Sequence, residues 1–115
     1  MKAKDIYDSA MLQLGYSDNA KLQNRALPII NRIYYELFII FHKAGEEFTP
    51  ATTLASEIKL SNEVALGIVM PLGVAAGLAV GEGDGELQQY FAAEYDRARK
   101  RFTQIGVVEV QDVTE

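Results

Sequence analysis

VALGIVMPLGVAAGLAV, residues Val64–Val80, has no charged side chain and no side chain that hydrogen-bonds, in a chain that is 23% charged. Such a segment must be hidden from water, inside the protein or in lipid. Its seventeen residues are at the short edge of the roughly 20 that a membrane-spanning helix needs. Glu57 and Glu63 precede it and Glu82 and Asp84 follow, so no basic cluster marks a cytoplasmic flank. Pro71 and the glycines at 67, 73, 77 and 81 dilute its hydrophobicity further. A buried central helix is therefore expected, with no membrane contact. Ser61 is placed to cap it and Glu63 suits its first turn. Pro71 should kink it near the middle. Gly73, Gly77 and Gly81, four apart, leave one face nearly smooth, so that another backbone can lie close.

Working outward, Gly81-Glu82-Gly83-Asp84-Gly85 breaks the pattern, and Asp84 can cap a further helix from about Glu86 to Ile105. Leu87, Phe91, Tyr95, Ala98, Phe102 and Ile105 form its apolar stripe. In residues 106–115, Val108 and Val110 alternate with Glu109 and Gln111, which predicts an extended tail that frays or pairs with another molecule. Upstream, Glu46–Leu60 has turn residues and no helical period. A surface loop is expected there, tacked down by Phe48, Leu54, Ile58 and Leu60, with a short extended piece at Glu57–Leu60.

Before the loop, a long helix should run from Ala20 to Lys43. Leu22, Ala26, Ile29, Ile33, Leu37 and Ile40 make one stripe, and Ile30, Tyr34, Phe38 and Phe41 a second. Pro28 should kink this helix or end it near Ala26. A first helix over 4–14 places Ile6, Ala10 and Leu14 on one face, stopped by a left-handed Gly15. The predicted fold class is all-α. It is a small four-helix bundle-like domain over 1–105, with two proline-kinked helices and an extended C-terminal tail.

At 115 residues the chain has enough length for one modest core. A net charge of -5 does not favour nucleic acid, whose binders carry a basic face. The absence of cysteine removes disulfides, thiolate metal sites and cysteine nucleophiles together. MKAKDIYDSAML places aspartates where a secretion signal would have its apolar core, so no signal is expected.

The single histidine, His42, is expected to sit at a helix C-terminus without a catalytic or metal role. Glu82, Asp84 and Glu86 lack the spacing of a calcium loop, and a capping turn accounts for them. No phosphate-binding loop and no serine nucleophile pattern occurs, so an enzyme, a metal and a cofactor are not expected. Arg97, Arg99, Lys100 and Arg101 are the one concentrated positive run. They read as a solvated helix end, a docking site for an acidic protein surface, or a nucleic-acid contact.

Three segments together carry a family resemblance: RALPIINRIYYEL at Arg25–Leu37, EIKLSNEV at Glu57–Val64, and MPLGVAAGLAVGEGDGELQQYFAAEYDRARK at Met70–Lys100. They resemble small head–tail connector (adaptor) proteins of tailed bacteriophages and prophages, over about Lys21 to Arg101. The resemblance implies a helical structural protein of the virion, assembled in the host bacterial cytoplasm. Such a protein forms a ring of copies beneath the portal protein and extends the DNA channel toward a downstream tail or stopper protein. DNA would pass without sequence-specific binding. Candidate assembly surfaces are then the loop (Phe48, Leu54, Ile58), the basic run (Arg97, Arg99, Lys100, Arg101) and the tail (Val108, Val110). A DNA-binding regulator using Arg97–Arg101, and a small membrane protein spanning Val64–Val80, are the alternatives.

Overall fold

The computed structural model describes the backbone of residues 1–114 and the side chains of residues 1–103. The protein is all-α: α1 (Ala3–Leu14), α2 (Ala20–Phe41), α3 (Met70–Gly81) and α4 (Gly85–Thr114), with a π-helical turn at Ala65–Val69 leading into α3. α3 is central. The other three helices all pack on it, whereas α1 and α4 scarcely touch each other. Met70, Val74, Ala75, Leu78 and Ala79 are wholly buried. The middle of the apolar stretch is thus hidden inside the protein, while Val64, Ile68 and Val80 toward its ends stay exposed, and no helix among the described residues is long and apolar enough to cross a membrane.

The glycines explain how closely α3 is approached. A Cβ at Gly73 would lie 2.9 Å from Ile33 Cδ1, one at Gly77 2.7 Å from Ile29 Cγ2, and one at Gly81 2.7 Å from Arg25 Nη1. One series rises by four as the other falls by four, so α2 and α3 run antiparallel with matched ridges and grooves. Tyr95 of α4 also reaches Gly73, within 3.0 Å of where its Cβ would stand. Larger residues at Gly73 and Gly77 would crowd the isoleucines of α2, whereas at Gly81 the long Arg25 side chain can move aside.

Proline acts differently in the two long helical segments. α2 is continuous from Ala20 to Phe41 through Pro28, so it neither ends near Ala26 nor reaches Lys43. Pro28 and Asn24 both lie on the exposed face, where water can serve the carbonyl that proline leaves without a donor. Pro71 is itself buried, although Gly67, whose carbonyl it leaves without a donor, is exposed. Here the chain widens into the π turn just before it, with Met70 N–H donating to Ala65 O. The expected disruption at Pro71 is thereby taken up one turn upstream. The cap of this segment is Asn62, whose Oδ1 accepts from Ala65 N–H at 2.9 Å. Ser61, predicted for that role, instead donates its backbone N–H to Glu46 Oε2 at 2.8 Å.

α1 depends on the loop for its start. The N–H groups of Ala3 and Lys4 donate to the carbonyls of Ser56 (2.9 Å) and Leu54 (2.8 Å). Asp5 accepts from Lys2 N–H at 2.9 Å. A single antiparallel bridge, Lys2 with Glu57, is what the predicted extended piece amounts to. At its other end α1 stops at Gly15, whose φ of 72° is the left-handed cap the sequence implied.

α4 continues as helix through Thr114, so the backbone of 106–114 is helical where an extended tail was predicted. A two-fold alternation over four residues is a weak signal. An established helix extends through β-branched residues at a few tenths of a kcal/mol each, relative to alanine.

Candidate assembly surfaces

Of the three loop residues predicted to face partners, Ile58 is only 3% exposed and belongs to the core. Its backbone N–H donates to Met1 O at 2.9 Å, which draws it in beside α1. Phe48 is half-buried in an aromatic cluster, its ring centroid 4.6 Å from Tyr34 and 5.1 Å from Tyr35. Leu54 is half-buried against the core. Asn31 clamps the loop from α2: its Nδ2 donates to Ala51 O at 2.9 Å and its Oδ1 accepts from Ala51 N–H at 2.7 Å. Glu46 accepts from the N–H groups of Lys43 and Ser61, which holds its carboxyl below the usual range. The apolar side chains of this loop are spent on the fold. They do not form an outward-facing patch.

The basic run is largely matched by carboxylates. Arg97 pairs with Glu94. Arg99 pairs with Asp96 at 2.8 Å and lies 3.7 Å from Glu36 across the interface with α2. Lys100 pairs with Asp96 at 3.0 Å. Lys100, and then Arg99, hold the Asp96 carboxyl below its ordinary value. Arg101 lies over the Phe102 ring, 5.7 Å from its centroid. The side chains of Val108 and Val110 lie outside the described residues.

The other singled-out groups have local partners. Asp84 Oδ1 accepts from Leu87 N–H at 3.3 Å as the cap of α4, and its Oδ2 accepts from Tyr16 OH at 3.2 Å. Glu82 pairs with Arg25 at 3.2 Å. His42 caps α2, its Nδ1 2.6 Å from Phe38 O and its ring stacked on Phe38 at 4.6 Å. Among the described residues no three acidic or histidine side chains are grouped to hold a metal ion.

Two features escaped the sequence reading. The first is a groove of about 480 Å³ between α2 and α4, floored by α3 at Gly73, Ala76, Gly77 and Val80. Across it, Tyr95 OH donates to Glu36 Oε1 at 2.7 Å. Burial, and then Glu36, push the Tyr95 phenol far above its ordinary value. Arg32 stands exposed on the α2 wall. It takes part in none of the ion pairs among the described residues. The second feature is a set of exposed large apolar side chains, including Leu12 (84%) on α1, Val80 (61%) at the groove and Tyr90 (58%) on α4. The signal for Leu12 and Tyr90 was present: each lies off the apolar stripe of its own helix. The groove was not legible, because helix-to-helix distances are not written in one helix's periodicity.

Comparison with known protein families, characterised proteins and solved structures gives no match for this chain.

Proposed function

We propose that the protein is a structural subunit of a phage or prophage head–tail connector. In this role it forms a ring with copies of itself between the portal protein and the tail or stopper protein. The likeness of Arg25–Leu37, Glu57–Val64 and Met70–Lys100 to such proteins supports the family. The observation that carries the reading is the placement of exposed apolar side chains on separate flanks. Leu12 projects from α1 and Tyr90 from α4, two helices that α3 keeps apart. A subunit with two unlike adhesive surfaces builds head-to-tail contacts, and such contacts close into rings when the rotation permits.

The ion pairs along Arg97–Lys100 weigh against a DNA-binding regulator, since a cation already matched by a carboxylate has less to offer a phosphate. The test is co-expression with the portal protein encoded in the same genome, followed by electron microscopy. Rings of this chain seated on the portal are expected. A chain ending at Gln104 should fold yet fail to assemble. Portal complexes that never acquire the chain, or normal rings from the truncation, would overturn the reading or its tail component respectively.

A further inference from the structure

We propose that the groove between α2 and α4 receives α1 of a second copy of this chain, with Leu12 inserted on its floor and Asp8 facing Arg32. This rests on the ring-subunit reading and names the contact by which neighbouring copies join. Leu12 is the most exposed of the large apolar side chains among the described residues, at 84%. Asp5, Asp8 and Leu12 follow one another by three and four residues, so they form one stripe on the outer face of α1. Asp8 therefore stands one turn from Leu12, with Cβ atoms about 5–6 Å apart.

The groove offers the complement. Its floor is apolar, made of Ala76 and the exposed Val80, while Gly73 and Gly77 beside them are covered by Ile33, Tyr95 and Ile29. Ile29 and Ile33 pack against Gly77 and Gly73, so Arg32, between them in sequence, rises alongside this same length of floor. The other wall charges are matched to each other, Arg99 with Glu36 and Asp96. Arg32 is thus the cation left to meet an incoming carboxylate. Asp8 can meet it, because Lys4 engages its Oδ2 at 2.8 Å and leaves Oδ1 open. α1 and the groove lie on different flanks of α3, so each copy can present both halves of the contact at once.

The chain has no cysteine of its own, so cross-linking can report the contact directly. Leu12→Cys, Ala76→Cys and Val80→Cys chains are prepared singly, mixed in pairs at high concentration and oxidised. The expected result is a disulfide dimer between Leu12→Cys and one of the two groove variants, with no variant dimerising alone. Adding Asp8→Arg to the α1 partner, or Arg32→Asp to the groove partner, should lower the yield about tenfold. Combining the two reversed chains should restore it.

Self-dimerisation of Leu12→Cys, absence of the mixed dimer, or failure of the paired reversal to restore it would each overturn the contact. Rings that assemble on the portal without this cross-link would reject the contact while leaving the connector reading intact. A specific cross-link with no portal assembly would do the reverse.

Discussion

α2 meets two neighbours in two different ways. Against α3 it lies over glycines, with Ile29 and Ile33 occupying the volume that Cβ atoms would need. Against α4 it stands off, and the gap is crossed by Tyr95, Glu36 and Arg99 rather than filled. The first contact is dry and shape-determined. The second is polar and bridged, and leaves a groove open to solvent. One helix thus serves a seam that holds the fold together and a trench that is free for other work.

The largest expected effect is a test of the seam. Gly77→Leu forces four carbon atoms into the space held by Ile29, and overpacking of this kind destabilises by about 1–3 kcal/mol. The neighbouring Ala76→Leu projects into the open groove and should change stability by less than about 0.5 kcal/mol. Urea denaturation of both variants measures the contrast. Equal midpoints would mean that the seam is not the close contact described.

Next comes the bridge. Tyr95→Phe removes the hydroxyl that donates to Glu36 and should cost about 0.5–1.5 kcal/mol. Spectrophotometric titration should show Tyr95 and Tyr7 both ionising well above the ordinary tyrosine range, with the amplitude of that late step reduced in this variant.

A third effect is pH-dependent and lies outside both contacts. Asp18 accepts from Tyr7 OH at 2.6 Å and from Gln23 Nε2 at 2.9 Å, and these bonds, Tyr7 first, hold its carboxyl below its unfolded value. Its contribution is present above the unfolded value and is lost as pH falls through the lower folded one. Tyr7→Phe should therefore flatten the acid limb of a plot of urea midpoint against pH. An unchanged limb would remove Asp18 from the acid response.

The smallest effect on stability belongs to the trench wall. Arg32→Ala should shift the denaturation midpoint by no more than about 0.5 kcal/mol, because the side chain is exposed and unpaired among the described residues. Stability should stay while association is lost.

The helices were legible in the sequence because each carries its own period and punctuation. Gly15 and Asp84 stand at the boundaries where their chemistry belongs, and the four-residue glycine spacing marked a face that another helix could approach. What was not legible depended on choices between near-equal local solutions. Ser61 and Asn62 are both competent caps, and Glu46, fifteen residues away, decided between them by engaging Ser61. Ile58 reads from the sequence both as a tack holding the loop to the core and as an assembly-surface residue, and its burial beside Met1 bears out the first alone. The run Arg97–Arg101 looked like free positive charge because its carboxylate partners sit one helical turn back, or on a different helix.

The way α1 begins has a bearing on the order in which the protein folds. Ala3 and Lys4, the first two residues of α1, find their carbonyl acceptors at residues 56 and 54. A helix of twelve residues is too short to persist alone in water. It therefore waits for a segment made some fifty residues later. In synthesis from the N-terminus, α1 is translated well before the segment that secures its first turn. Pulsed hydrogen exchange during refolding should find the Ala3 and Lys4 amides protected together with the 54–58 backbone, after the amides of α2 and α3.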